Sequence, residues 1–219
     1  MKQFHVAIDG PAGSGKSTIS GLIAKKLNWT HIDTGAMYRA VTLWALNNKI
    51  DLNKESEYRF LEEISISYEN DQIFLNGINV SIDIRSEKVT NNVSLVSSFP
   101  YVRKKMVDLQ KKAAENISVV MDGRDIGTVV LPNADLKIFL TANVEERAKR
   151  RYAENVQKGK VDHIDNVIND IIVRDEKDST RKEAPLKKAK DAFELDTTYM
   201  TIDEVVNKII LMIEKKENL

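Results

Sequence analysis

Gly10-Pro11-Ala12-Gly13-Ser14-Gly15-Lys16-Ser17 is the stretch that decides the fold. It matches the phosphate-binding loop pattern of a glycine, four residues, then Gly-Lys-Ser. Its setting matters more than the match. Phe4–Asp9 is a short apolar run that reads as a strand and ends at the turn dipeptide Asp9-Gly10. From Lys16 the pattern is helical, with Ile19, Leu22, Ile23 and Leu27 on one stripe. The loop therefore sits at a sheet edge above a helix N-terminus. Glycines let the backbone wrap a phosphate with its N–H groups inward, and the helix dipole adds about half a positive charge there. Lys16 is expected to reach β- and γ-phosphate oxygens, and the Ser17 hydroxyl to help hold Mg²⁺. Nucleotide binding follows.

Outward from the loop, strands and helices alternate. His31-Ile32-Asp33 is a brief second strand, and Thr34 can cap the next helix, whose apolar set is Met37, Val41, Trp44 and Ala45. Ile64–Ile84 changes character: Ile64, Ile66 and Tyr68 alternate, then Ile73 and Leu75, then Ile78 and Val80, with Glu69-Asn70-Asp71 and Asn76-Gly77 between them. That is a small antiparallel meander with two tight turns, inserted into the β–α alternation. Phe99–Ala113 returns to helix. Ser118–Asp122 and Leu136–Thr141 are continuous apolar runs, as expected of strands buried on both faces. Glu145–Lys160 is a charged helix, and Ile164, Val167, Ile168, Ile171 and Ile172 mark another that runs into Arg174–Glu183. Phe193–Asp196 reads as the last strand, and Ile202, Val205, Val206, Ile209 and Ile213 as the closing helix. Strands separated by helices imply right-handed crossovers and a parallel sheet. The fold class is α/β.

Composition narrows the function. The 219 residues fit one core with a lobe or two inserted. Lys plus Arg equals Asp plus Glu at 33 each, so no global field attracts nucleic acid or a membrane, and anion handling must come from local clusters. With no cysteine, disulfides, thiolate metal sites and a Cys nucleophile are excluded. Met1–Asp9 is too short and polar for a signal peptide, and no window approaches the roughly 18 apolar residues of a membrane span. A cytoplasmic protein is expected.

A phosphate-binding loop serves switches and kinases alike. Asn48-Lys49-Ile50-Asp51 literally matches the guanine-reading motif of GTPases, but it falls at a helix end instead of after a later buried strand, and the GTPase Asp-x-x-Gly motif occurs nowhere. A kinase needs something else. A phosphorylated acceptor brought to the γ-phosphoryl gathers negative charge that several arginines must offset. Arg39, Arg103, Arg124, Arg174 and Arg181 are placed just after the expected strand ends, where α/β sheets bind ligands. For a single Arg the usual reading is a solvated helix face. Arg124 escapes it, because Asp122-Gly123-Arg124-Asp125 directly follows a buried strand.

Gly10–Thr18, then Asp33-Thr34-Gly35-Ala36-Met37-Tyr38-Arg39, then Asp122-Gly123-Arg124-Asp125-Ile126-Gly127-Thr128-Val129-Val130 resemble the sequence blocks of bacterial cytidylate kinases. Ser94 to Arg103 is similar to that family's base-reading segment, and Arg174-Asp175 through Asp178 and Arg181 to Ala184-Pro185-Leu186 resembles its lid. The resemblance runs in register from about residue 4 to 215. It implies a three-layer P-loop fold: a central parallel sheet flanked by helices, with a small antiparallel inserted lobe and a helical lid. The implied division is a core of 1–62, 86–150 and 183–219, a monophosphate-binding lobe of 63–85 and a lid of 151–182. It implies ATP and Mg²⁺ at Gly10–Thr18, with Arg150, beside Arg147 and Arg151, also meeting ATP. Thr34, Arg39, Arg124 and Arg181 would contact the acceptor phosphate, Arg174 and Asp178 the ribose hydroxyls, and Ser94, Arg103 and Asp125 the base. A monomer acting on CMP and dCMP is expected.

The chemistry of the base agrees with those residue types. A carboxylate at Asp125 and the Ser94 oxygen suit the N4 donor of cytosine, while Arg103 can donate to N3 and O2. Uracil inverts the polarity at N3 and position 4, which costs about 1–3 kcal/mol per unpaired group. Asp33 and Asp122 end strands near the phosphates, so either can hold Mg²⁺ through water, and Asp9 reads as turn support. His5, His31 and His163 show no metal spacing, and Trp29 and Trp44 read as core. Two alternatives stand: another small-acceptor kinase, of UMP or shikimate type, or a nucleotide-dependent switch without transfer activity.

Overall fold

The structure, a computed structural model, describes residues 3–69, 72–157, 159 and 163–217. In chain order the elements are β1 (His5–Asp9), α1 (Lys16–Leu27), β2 (Thr30–Asp33), α2 (Thr34–Asn47), β3 (Ile66–Glu69), β4 (Gln72–Leu75), β5 (Ile78–Asn79), α3 (Glu87–Val96), α4 (Pro100–Ala113), β6 (Val119–Gly123), β7 (Leu136–Thr141), α5 (Val144–Gln157), α6 (Ile164–Thr180), β8 (Phe193–Asp196) and α7 (Ile202–Glu217). Short 3₁₀ segments at Glu55–Glu62 and Asp83–Arg85 and a π-helical turn at Ile126–Val130 complete them. They form two compact units, Met1–His31 with Ile117–Leu219, and Ile32–Asn116; the division falls within β2.

The first unit carries a five-stranded sheet in the order β2-β6-β1-β7-β8. Each pairing with a known register is parallel: His5 to Asp9 of β1 lie beside Val119 to Gly123 of β6, Val6 to Asp9 beside Leu136 to Phe139 of β7, and Ile138 to Thr141 beside Phe193 to Asp196 of β8. Parallel strands covered on both faces must be apolar throughout, and Val6, Ala7, Ile8, Val119, Val120 and Met121 are indeed buried. Ile19 and Ile23 of α1 and Val206 and Ile209 of α7 pack on this sheet beside Ile8 and Leu140. Each such side chain contributes about 1.5–3 kcal/mol by leaving water. A satellite core of Ala148, Val167 and Ile171 joins α5 to α6. The consequence for function lies in the register. Asp9 is level with Gly123, so the loops leaving β1 and β6 start side by side at the carboxyl edge of the sheet.

The second unit is built on α2, α3 and α4. Tyr58, fully buried, stacks its ring 5.4 Å from Phe99 and 5.7 Å from Phe60. The meander is real: β3, β4 and β5 pair antiparallel, Ile66 with Leu75 and Leu75 with Ile78. Asn76 and Gly77 both have positive φ, 50° and 77°, the combination that a two-residue hairpin turn requires. The other turn, at Asn70-Asp71, lies outside the described residues, as do Lys158 and Lys160 at the expected end of the charged helix. Beyond Asn79 the meander stops being strand and turns into the 3₁₀ segment.

Two local expectations change. Thr34 does not cap α2. Asp33 does, its Oδ1 accepting from the Ala36 N–H at 2.9 Å, because α2 already begins at Thr34, directly after β2 ends. The other change is α3, absent from the sequence reading. Val89, Val93 and Val96 do recur at helical spacing and are buried, but β-branched residues and Asn91-Asn92 dilute the helical signal.

Candidate active site

In the first unit the phosphate loop is held by its own glycines and by side chains packed on it. Gly15, φ 85°, precedes α1 as its cap and Gly13 has φ 74°. A side chain on Gly13 would place its Cβ 3.1 Å from the Arg147 carbonyl oxygen and 3.2 Å from its Cβ, so only glycine fits there without displacement. Lys16 is buried and curls over its own loop, donating to the Pro11 carbonyl at 2.7 Å and to the Ser14 hydroxyl at 3.2 Å. Burial holds its pKa well below the usual lysine value; Arg124 and Arg174 push the same way, while Asp122 and Asp9 oppose them. A triphosphate would relieve that strain on the ammonium charge. Thr18, next in the helix, is exposed.

Two carboxylates brace the loop from outside it. Asp175 on α6 accepts from the Ala12 N–H at 2.9 Å and also pairs with Arg147. Arg147 in turn donates to the carbonyls of Ala12 at 2.8 Å and Ala142 at 3.0 Å. Asp122, at the end of β6, accepts from the Ser17 hydroxyl at 2.7 Å with one oxygen and lies 2.7 Å from His31 Nε2 with the other. Arg150 is tied to the β8–α7 turn, donating to the Thr197 carbonyl at 2.7 Å and hydroxyl at 3.1 Å.

The loop after β6 is organised by Asp9. Its buried carboxylate accepts from the N–H groups of Ile126 and Gly127, each at 2.7 Å. Burial pushes this carboxyl up to about 6, against those two bonds, which lower it. That arrangement sets Arg124 and Asp125 at the mouth of β6. Arg124 Nε donates to Asp178 at 2.8 Å, and Arg181 approaches Asp125 at 3.4 Å while donating to the Ala184 carbonyl at 2.8 Å. Burial raises the Asp178 carboxyl, but Arg124, Arg174 and Arg181 outweigh it and hold Asp178 below the usual carboxylate range. Lys16, Ser17, Arg124, Asp125, Arg174, Asp178 and Arg181 thus belong to one electrostatic neighbourhood. It is rich in guanidinium groups.

The second unit holds the remaining sequence-predicted residues. Arg39 donates to Asp33 at 2.8 Å, and the Arg39 Nε is buried with no hydrogen-bond partner among the described residues. Gly35 lies under that pair: a Cβ there would stand 3.1 Å from both the Arg39 guanidinium and Asp33 Oδ1. The Tyr68 hydroxyl, from the meander, donates to the Asp33 carbonyl. Thr34 is buried at the first position of α2. Arg103 is buried, donates to the Ser97 carbonyl at 3.2 Å and lies 5.6 Å above the Tyr38 ring. Ser94 is half-buried on α3.

His31, Tyr38, Tyr68 and Asp175 enter this picture without having been assigned a role from sequence. Their partners are distant along the chain, 91 residues for His31 and 163 for Asp175, so no local pattern announces them. Among the described residues no group of three or more His, Cys, Asp or Glu is gathered to hold a metal, and no helix is long and apolar enough to cross a membrane.

A glycine-rich loop between β1 and α1, with the guanidinium groups of Arg124 and Arg181 at the mouth of β6, is the arrangement of a P-loop phosphotransferase. Comparison with known proteins narrows this. The family model described as cytidylate kinase matches residues 6–215. A cytidylate kinase of Acholeplasma laidlawii is 58% identical over 214 residues, 98% of this chain and 96% of the relative. One from Onion yellows phytoplasma is 51% identical over 218 residues, 99% and 98% of the two chains. The chain belongs to the cytidylate kinase family. Among solved structures, an uncharacterized protein from Eubacterium ventriosum is similar in fold alone, with 14% identity and a TM-score of 0.52 over 97% of this chain and 99% of that one.

Proposed function

We propose that this chain transfers the γ-phosphoryl group of ATP to CMP and dCMP, giving ADP with CDP or dCDP. The observation that carries the reading is the neighbourhood of Lys16, Arg124, Asp178 and Arg181 at the carboxyl edge of the sheet, in a chain 58% identical to a relative named cytidylate kinase. The step is a direct in-line displacement. An oxygen of the acceptor phosphate forms the new P–O bond as the bond from the γ-phosphorus to the β,γ-bridging oxygen breaks. A phosphate oxygen is already a nucleophile, so no general base and no phosphoenzyme are needed.

The loop Gly10 to Thr18 takes the ATP phosphates through the backbone N–H groups of its residues other than Pro11, which has none, and Ala12, which donates to Asp175, with Lys16 released from Pro11 to the β- and γ-oxygens and Arg150 toward the nucleotide. In the first unit Arg124 and Arg181 are assigned to the acceptor phosphate, Arg174 and Asp178 to the ribose, and Asp125 to cytosine N4. In the second unit Thr34 and Arg39 are assigned to the acceptor phosphate, and Ser94 and Arg103 to the base. The unpartnered Arg39 Nε fits this assignment, since a buried donor gains by receiving an anion.

Mg²⁺ prefers oxygen ligands and usually binds through one or two protein groups plus phosphate. The Ser17 hydroxyl and Asp122 carboxylate, 2.7 Å apart, are donors of that kind, and the lack of any larger acidic cluster among the described residues suits an ion that arrives with ATP. Asp33 fits less well, being engaged with Ala36 and Arg39. Bound there, the ion would neutralise negative charge on the ATP phosphates. The lid of 151–182 and the lobe of 63–85 are proposed to close and exclude water. We place the protein in the cytoplasm as a monomer without nucleic-acid or membrane partners.

A structure with CMP and a non-hydrolysable ATP analogue tests the assignment. The acceptor phosphate is expected against Arg39, Arg124 and Arg181; a monophosphate bound away from all three overturns it.

A further inference from the structure

We infer that His31 is a positioning residue for the magnesium side of the site, acting on Ser17 through Asp122. The inference rests on the phosphotransferase reading and adds to it a residue that none of the assigned roles includes. An ionised carboxylate only accepts hydrogen bonds. Asp122 has one oxygen 2.7 Å from His31 Nε2 and the other 2.7 Å from the Ser17 hydroxyl, so both of these partners must donate. Two consequences follow. His31 carries a proton on Nε2, an assignment made from its partner. Ser17 gives its only hydroxyl proton to Asp122, which leaves the oxygen lone pairs for a cation.

The chain of contacts is built to stay in one arrangement. Asp122 is buried on β6, level with Ile8 of the central strand, so its backbone cannot shift without disturbing the sheet. His31, only 12% exposed at its side chain, seats its ring against bare backbone of α1: a Cβ on Gly21 would stand 3.4 Å from Nδ1. Ser17 lies one residue after Lys16 on that same helix. The imidazole therefore prevents Asp122 from rotating away and taking the Ser17 proton direction with it. In metal sites, groups that orient a ligand from behind are worth about 10–100-fold in metal affinity.

The test compares ATP binding by isothermal titration with Mg²⁺ and in EDTA, for the wild-type protein, His31→Leu and His31→Gln. The Gln amide N–H reaches about as far as Nε2, whereas Leu offers no donor. In His31→Leu the gain in ATP affinity on adding Mg²⁺ is expected to shrink by about tenfold with affinity in EDTA little changed, while the thermal midpoint falls because a buried Asp122 oxygen loses a donor, and His31→Gln is expected to restore most of both. If Leu prevents folding, His31→Asn replaces it, since its shorter amide falls short of Asp122 and is expected to behave as Leu does. An unchanged Mg²⁺ gain in the donor-free variant overturns the inference. So does an equal loss of affinity in EDTA, or a Gln variant no better than Leu. A wild-type protein that binds ATP no more tightly with Mg²⁺ overturns the phosphotransferase reading along with it, whereas failure to phosphorylate CMP with the Mg²⁺ gain intact overturns that reading alone.

Discussion

Arg124 and Asp178 meet at 2.8 Å, Nε to Oδ2, joining the loop after β6 to the far end of α6. Both side chains are largely buried, at 18% and 8% exposure. Removing one partner of such a pair leaves the other charge uncompensated, here with Arg174 and Arg181 adding to the excess. Asp178→Ala is therefore expected to lose about 3 kcal/mol of stability in urea unfolding. A loss under about 0.5 kcal/mol, the range of ordinary surface changes, would show that water already screens the pair.

Asp9 and Asp178 respond oppositely to acid. The folded-state pKa of Asp9 is raised from 3.8 to about 6 by burial, so between those values the folded protein holds a proton that the unfolded chain has lost. Its contribution to stability falls as pH rises from about 4 to about 6 and is constant above. Asp178, held below 3.8, contributes stability that is present above that value and is lost as pH falls through its folded pKa. Urea titrations from pH 4 to 8 on Asp9→Asn should show a flatter slope in the pH 4–6 window. That variant should also be weaker at pH 7, because one oxygen cannot serve the N–H groups of both Ile126 and Gly127. A slope identical to wild type would mean that Asp9 is ionised throughout.

Lys16 is the one ammonium inside the phosphate loop, and burial already disfavours its charge. Lys16→Ala should lower kcat by at least about 10²-fold, on the scale seen when a single charge-stabilising group is removed. Near-normal turnover in that variant would remove Lys16 from the mechanism.

Asp125 lies 3.4 Å from Arg181 and is proposed to read cytosine N4. Asp125→Ala is expected to narrow the ratio of kcat/KM for CMP over UMP by roughly tenfold, the worth of one misplaced polar group. A ratio that does not move transfers base discrimination to Ser94 and Arg103.

Much of this was legible because it is local. The Gly10–Ser17 pattern between an apolar run and a helical stripe specifies β1, loop and α1 within a short segment. Arg124 stood out because a buried strand ends beside it. The Asn48-Lys49-Ile50-Asp51 match proved to lie at the end of α2, where Asn48 is the cap. What failed to show has a common cause. The choice of Asp33 over Thr34 as cap depends on where α2 starts, since both residues can cap. Asp175 beneath Ala12, His31 beside Asp122, and Tyr68 on the Asp33 carbonyl are contacts made by tertiary folding. Nothing in the spacing of those residues encodes their partners.

Phosphoryl transfer to a cytidine monophosphate is measured by a coupled assay of ADP formation from MgATP with CMP, dCMP, UMP and shikimate. Turnover is expected with CMP and dCMP at kcat/KM at least about tenfold above UMP, and none with shikimate. ADP formation that is indifferent to CMP, or a preference for UMP or shikimate, would contradict it.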